Sequence, residues 1–215
     1  MLLHGTFGMT SWGVIEAALS AAGFAVYPFD YGRLGTDEIG RSAGTLAGFV
    51  DDVLLRTGAK RVSIIGHSQG GLVARYYVKY LGGSEHVDDL IGLSPSNHGT
   101  TNPLVVQTGL IGCSACAEQQ ADSPFLANLN ADDETPPPVD YTVIQTRQDE
   151  VLIPYTSAFL SGPADRVTNI TLQDRCPGDA VDHVNIPSDP VALQWVENAL
   201  GRPGPADPGA APHCS

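Results

Sequence analysis

Charge is what this chain has least of. Only 16% of its 215 residues are Asp, Glu, Lys or Arg, with 24 acidic against 11 basic. The net charge of −13 disfavours nucleic acid and anionic membrane surfaces as partners, since both are bound mainly through Lys and Arg. Long apolar runs are missing as well: none is long enough to cross a bilayer as a helix. No internal repeat and no exposed heptad pattern occurs, which sets aside solenoids and coiled coils. Neither a Gly-rich phosphate loop nor a cluster of acidic residues at metal-ligand spacing is present, so no metal site is expected. A signal peptide is also lacking. Met1-Leu2-Leu3 reads instead as the end of a strand, and upstream residues, an export leader among them, are expected to precede it.

What is present is a globular composition. Hydrophobic residues make up 42%, and 215 residues allow one domain with a substantial core. Glycine (24) and proline (16) together stay below the share that marks disorder. The four cysteines, Cys113, Cys116, Cys176 and Cys214, make an even count, which suits disulfides in an exported protein. Cys113-Ser114-Ala115-Cys116 could also be half a zinc site or a redox pair. No second Cys-x-x-Cys follows, however, and no strand–helix–strand pattern surrounds it. The expected pairing is Cys113–Cys116 and Cys176–Cys214. The second bridge would staple down a Pro/Gly/Ala-rich tail, residues 201–215, that has little else to hold it.

The most informative stretch runs from Arg61 to Leu81. Val62-Ser63-Ile64-Ile65 is a short, mostly β-branched apolar run that suits a buried strand. Gly66-His67-Ser68-Gln69-Gly70 follows at once. Beyond it Leu72, Tyr76 and Lys79 fall on one stripe and Val73, Tyr77 and Tyr80 beside it, as an amphipathic helix requires. Gly-x-Ser-x-Gly between a strand and a helix is the pattern of a nucleophile elbow. Glycines two positions either side of Ser68 remove side chains that would collide in so tight a turn. The turn lifts the Ser68 hydroxyl above the sheet. It also aims the first N–H groups of the helix, that of Gln69 among them, at an anion forming there. The pentapeptide alone is weak evidence, because glycine and serine are common; its flanks give it weight.

The rest of the chain supplies partners for that serine. His4-Gly5-Thr6-Phe7-Gly8 follows the first strand, where a second oxyanion donor belongs; the Thr6 N–H is the candidate and Phe7 the next. The Thr6 hydroxyl could add a further donor. Ser11 can cap a helix to about Ala22 with Trp12, Ile15 and Leu19 on its buried stripe, and a strand over 24–29 follows. A loop then leads to a helix from Thr36 or Asp37 to Thr57, and after the Ser68 helix comes a strand over 87–93. Alternation of this kind argues for a parallel sheet covered on both faces. Residues 94–138 break the pattern, with short helices expected at 103–111 and 123–129. An insertion at the carboxyl end of a strand lies over the site, so Leu104, Val105, Val106, Leu110, Ile111, Phe125 and Leu126 are candidates to line an acyl pocket or small lid; the alternative is that they are core.

A strand over 141–146 leads to Asp149 and Glu150. A carboxylate just past a late strand is where a triad acid belongs, and Asp149 is the first, with Glu150 the competitor. Val151 and Ile153 on the same loop, with Phe7, are further pocket candidates. A last strand over 167–172 precedes His183, and a helix runs from about Asp189 to Leu200. Of the six histidines, His4 and His67 belong to the two turns, His86 precedes a strand, His98 precedes the insertion helices and His213 lies in the tail. Only His183 follows both serine and acid on a loop after a strand.

His4-Gly5-Thr6-Phe7-Gly8, Gly66-His67-Ser68-Gln69-Gly70-Gly71, Ser96-Asn97-His98-Gly99-Thr100, Asp149-Glu150-Val151 with Pro154, and Asp182-His183 together resemble secreted bacterial triacylglycerol lipases and esterases of the α/β-hydrolase superfamily. The likeness is to the small lipases of actinomycetes and, distantly, to the fungal lipase B type, and it covers Leu2 to Leu200. It implies an α/β fold over residues 1–200, a mostly parallel central sheet with helices on both faces and a small lid-like insertion. It implies a serine carboxylic-ester hydrolase cleaving acylglycerols through an acyl-enzyme on Ser68. His183 would be the base, Asp149 its orienting acid, and the Thr6 and Gln69 N–H groups the oxyanion hole. No cofactor is called for, the partners are ester substrates and transiently a lipid–water interface, and export with oxidised cysteines is implied. A short-chain esterase, thioesterase, polyester hydrolase or acyltransferase would use the same triad, and a hydrolase-like binding protein is the rival outside catalysis.

Overall fold

The computed structural model describes residues 1–109 and 112–214. Six strands form one sheet: β1 (Leu2–Leu3), β2 (Pro28–Phe29), β3 (Val62–His67), β4 (Val87–Leu93), β5 (Asp140–Gln145) and β6 (Val167–Thr171). Every pairing is parallel and the order is β2-β1-β3-β4-β5-β6. Side chains alternate across it into two apolar layers. Leu3, Ile64, Leu90 and Val143 face one cluster with Ile39, Leu46, Leu72 and Tyr77, while Leu2, Ile65, Ile91 and Ile144 face a second with Ile15, Leu19 and Trp195. A sheet buried on both faces explains why its strands read as continuous apolar runs.

The helices are α1 (Gly13–Ala21), a single turn α2 (Gly32–Gly35), α3 (Ile39–Thr57), α4 (Gln69–Tyr80), α5 (Pro103–Gly109), α6 (Ser114–Glu118), α7 (Pro124–Leu129), the short α8 (Leu172–Arg175) and α9 (Pro190–Leu200). From β1 the chain moves to β2 on one side and then returns to β3 on the other, so the switch point lies between β1 and β3. Ligands of open α/β sheets bind at such a point, outside the carboxyl ends of the strands. The turn at Gly5–Thr6 and Ser68 lie at those two carboxyl ends.

Besides one-residue shifts at the ends of β5 and β6, three boundaries differ from the sequence reading. The strand expected over 24–29 pairs only at Pro28–Phe29, because its partner β1 offers just two residues, Leu2 and Leu3. The first helix starts at Gly13 rather than being capped by Ser11, since Trp12 already has helical angles (φ −91, ψ −7) and its carbonyl receives the Glu16 N–H. The next long helix starts at Ile39, not at Thr36 or Asp37. Asp37 is drawn off by Arg33 (Nε to Oδ1, 2.7 Å), and the Ile39 N–H is taken instead by the Glu118 carboxylate at 2.7 Å from the insertion. No local pattern announces a cap supplied from so far along the chain.

The insertion divides in two. From α7 onward it is pinned to α4. Buried Arg75 reaches Asn130 Oδ1 at 2.9 Å and Asn97 Oδ1 at 3.3 Å, Tyr80 donates to the Asn128 carbonyl at 2.8 Å, and Phe125 stacks on Tyr76 with centroids 5.8 Å apart. Phe125 and Leu126 therefore belong to the core layer rather than to a pocket wall. The expected helix over 103–111 is seen as Pro103–Gly109, and Leu110 and Ile111 lie outside the described residues.

Both expected cysteine pairs are bonded, Cys113 to Cys116 and Cys176 to Cys214. The tail has more to hold it than its bridge. Ala206 is fully buried and donates its N–H to Thr142 at 2.9 Å, Asp207 donates to Asn198 at 2.7 Å, and His213 and Gln194 exchange two bonds at 2.8 and 3.0 Å. Replacing Cys176 and Cys214 by Ser should still lower stability by about 2–4 kcal/mol, because the bridge closes a long loop in the unfolded chain. Urea denaturation of the variant against the oxidised parent measures this. A loss below about 0.5 kcal/mol would show that the hydrogen bonds alone hold the tail.

Candidate active site

Ser68 sits between β3 and α4 with φ 53 and ψ −119, a backbone region that ordinary residues avoid. Its surroundings enforce the turn. A Cβ on Gly66 would lie 2.5 Å from the Gly70 carbonyl carbon, and one on Gly70 would lie 2.3 Å from the Leu3 carbonyl oxygen. The Ser68 N–H donates to Leu93 O at 2.9 Å, while its carbonyl accepts from Gly71 and Ser96. Gln69 opens α4, so its N–H has no partner within the helix. Its side chain is tied back, donating to Gly35 O at 3.0 Å and accepting from Tyr31 at 3.2 Å.

The turn after β1 faces this serine: a Cβ on Gly5 would come within 3.1 Å of Ser68 Cβ. Thr6 begins the one-turn helix there, and Phe7 takes a left-handed φ of 63. Gln119 Nε2 donates to Thr6 Oγ1 at 3.1 Å, and Gln119 Oε1 accepts from Ser96 at 2.8 Å. Gln119 was not visible as a site residue, because only the fold brings α6 against the first turn.

On the other side Asp149 and His183 meet. His183 Nδ1 lies 2.8 Å from Asp149 Oδ2, and both residues are buried. Asp149 Oδ1 accepts the N–H groups of Val151 at 3.0 Å and Leu152 at 2.7 Å. Burial pushes this carboxyl up, but the His183 hydrogen bond and charge, with those two N–H donors, outweigh it and leave it below its ordinary value. Glu150, the competitor, is exposed and accepts the His183 backbone N–H at 3.2 Å, so it steadies the loop and does not meet the imidazole.

Ser68, His183 and Thr6 line one cavity of about 250 Å³. Its apolar walls come from Phe7, Met9, Leu104, Val105, Val151 and Val184. Ile153, expected there, is not in the lining. Its backbone instead braces the insertion, N–H to Thr100 Oγ1 and carbonyl to Thr101, both at 3.0 Å, and its side chain is exposed. Leu110 lies outside the described residues. His67, Thr10, Thr100 and Cys116 also line the cavity, and none was singled out for it from sequence. A second cavity, of about 350 Å³ among Leu19, Phe24, Tyr27 and Val62, holds none of these residues. Among the described residues there is no group of three or more His, Cys, Asp or Glu placed to hold a metal ion.

A parallel sheet with a strained serine where strand meets helix, beside the switch point, is the α/β-hydrolase fold. Residues 1–196 match the family described as Lipase (class 2), and the chain belongs to that family. The chain is 36% identical over 84 residues to a triacylglycerol lipase of Pseudarthrobacter phenanthrenivorans and to one of Burkholderia plantarii, a match covering 35% of this chain in each case. The matched part spans only 26% and 24% of those two relatives. In three dimensions the chain is similar to Aspergillus fumigatus lipase B, with a TM-score of 0.84 and 24% identity over 96% of this chain and 53% of that one. That likeness extends the fold, not the chemistry.

The Asp149 carboxyl stays ionised to lower pH in the folded chain than in the unfolded one. Its contribution to stability is therefore present above the unfolded value of about 4 and is lost as pH falls through the lower folded value. Urea denaturation on acidification below about pH 4 should show the parent losing stability more steeply than Asp149→Asn. Parallel curves for the two proteins would contradict this.

Proposed function

We propose that this protein is a serine ester hydrolase that cleaves acylglycerols through an acyl-enzyme on Ser68. A serine hydroxyl is a poor nucleophile near neutral pH and needs a base as it attacks. His183 takes that proton and later returns it to the departing alcohol. Asp149 holds the imidazole with its proton on Nδ1 and stabilises the imidazolium that forms. The N–H groups of Thr6 and Gln69 receive the oxyanion, each worth roughly 3 kcal/mol in the transition state. Because the Gln119 amide already donates to Thr6 Oγ1, the hydroxyl proton of Thr6 is left to point elsewhere, and we assign it as a third oxyanion donor. Water then releases the acyl group. The single observation that carries the reading is the buried 2.8 Å contact of Asp149 with His183, which lines the same cavity as Ser68.

An acyl chain is the natural occupant of walls made from Phe7, Met9, Leu104, Val105, Val151 and Val184. Four of these are exposed beyond the ordinary for apolar residues: Phe7 46%, Met9 61%, Leu104 71% and Val184 37%. Gathered at one mouth, they favour contact with a lipid–water interface. Two disulfides fit an extracellular life, and export is part of the proposal. So is the division of the chain into a hydrolase unit over residues 1–200 and a tethered tail.

Hydrolysis of p-nitrophenyl esters from short to long acyl, with a triglyceride emulsion beside them, tests the proposal. Ser68→Ala should lose turnover by about a millionfold. Thr6→Val, which keeps the N–H and removes the hydroxyl, should lower kcat by about a hundredfold. Preference for long chains and emulsion is the lipase outcome, activity on short soluble esters alone marks an esterase, and serine-independent turnover would refute the mechanism.

A further inference from the structure

His67, between Gly66 and Ser68, is buried and takes no part in the mechanism above, yet all of its hydrogen-bonding capacity is used. Its Nε2 lies 2.8 Å from the backbone carbonyl of His183, and its Nδ1 lies 2.8 Å from Thr10 Oγ1. Thr10 Oγ1 in turn accepts the Gly5 N–H at 2.8 Å. The ends of this series have no freedom: an amide N–H only donates and a carbonyl only accepts. Thr10 therefore accepts from Gly5 and donates to His67 Nδ1, and His67 carries its single proton on Nε2, aimed at His183. The opposite tautomer would set a ring lone pair against carbonyl lone pairs. A doubly protonated ring would satisfy the same contacts, since the Thr10 oxygen has two lone pairs, and it is burial that keeps the ring neutral.

We propose that His67 is a positioning residue, whose Nε2–H tautomer, set by Thr10, ties the turn after β1, the Ser68 turn and the His183 loop into one directed relay. The inference rests on the reading of Ser68 and His183 as nucleophile and base. Asp149 holds the His183 ring at Nδ1, and His67 holds the His183 main chain, so the imidazole is fixed from both ends. The titratable groups that face His67 are His183, Asp149 and His4. Burial, and then the positive charge that His183 can carry, push its basicity down to about 3, which keeps the ring neutral and leaves its one proton on Nε2, where the His183 carbonyl accepts it. Its ring is 5.1 Å from that of His183, so a neutral His67 also spares the imidazolium formed in catalysis a like charge.

The test uses the folded full chain, with active sites counted by a phosphonate that labels Ser68. Thr10→Val removes the relay hydroxyl at nearly constant volume. It should lower kcat per titrated site by about tenfold to a hundredfold with KM changed less than about twofold, as a small misplacement of the base would. Thr10→Ser should restore most of the rate. His67→Gln, whose amide can still donate to the His183 carbonyl, should retain more kcat than His67→Leu. Nitrogen NMR of the parent should show His67 protonated on Nε2 alone and not titrating between about pH 5 and pH 9. An unchanged kcat in Thr10→Val with only a lower melting temperature would overturn the proposal, and so would the Nδ1–H tautomer. If Ser68→Ala retained turnover, the reading of the site would fail instead, and the NMR result would then judge the relay by itself.

Discussion

One backbone crowding holds the site together: the turn at Ser68 admits no side chain at Gly66 or Gly70. The space that a Gly70 Cβ would need is filled by the Leu3 carbonyl, at 2.3 Å, so the carboxyl end of β1 is pressed directly against the start of α4. The turn carrying Thr6 and the turn carrying Ser68 are thus spaced by main chain rather than by adjustable side chains. A serine at positive φ costs on the order of 1–3 kcal/mol and persists only where the surroundings over-determine it. Here the bond to the Leu93 carbonyl and those from the Gly71 and Ser96 N–H groups do so. On the proposed mechanism this rigidity is useful. A donor that waits at the oxyanion position need not reorganise as charge develops.

The Asp149–His183 pair solves a different problem. Asp149 is buried, and burial alone would neutralise it. Its two oxygens divide the work: Oδ1 takes two N–H groups of its own loop, and Oδ2 is left to face one partner, His183. The histidine, and then those local N–H donors, make the buried charge tolerable. The same loop is held to the insertion by Thr100, which accepts from Ile153 and Asn102 and donates to the Val151 carbonyl. Residues near the acid that read as pocket lining, such as Ile153, are thus partly scaffolding.

Features carried by local pattern were legible in the sequence, and features carried by distant contact were not. The strand–turn–helix around Ser68, the strand at 87–93 and the helix from about Asp189 to Leu200, seen as Pro190–Leu200, all follow from neighbours within a few residues. The chain order of serine, carboxylate and histidine was enough to select Ser68, Asp149 and His183 as candidates, and the fold brings the last two within hydrogen-bonding distance. What escaped was supplied from elsewhere in the chain: the Glu118 cap of α3, the Gln119 amide on Thr6, and the Thr10 bond to His67. In each case the residue looks like an ordinary surface polar in its own segment. The pocket was legible only in part for a related reason: apolar residues in the insertion look alike whether they face the cavity, as Leu104 does, or the core, as Leu126 does.

The helix that begins beside Ser68 also decides what the insertion can do. Arg75, two turns into α4, is buried, and removing its charge from water would be costly without compensation. It is compensated by oxygens of Asn97, Asn130 and the Glu134 backbone, all drawn from the insertion or its edges. Lys79 and Tyr80, one turn further on, add bonds to the carbonyls of Leu129 and Asn128. The base of the insertion is therefore an extension of the helix that carries the Ser68 turn, and lifting it would strip partners from a buried guanidinium. Leu104 and Val105 of α5, which line the cavity, belong to the part of the insertion that precedes the α7 anchors.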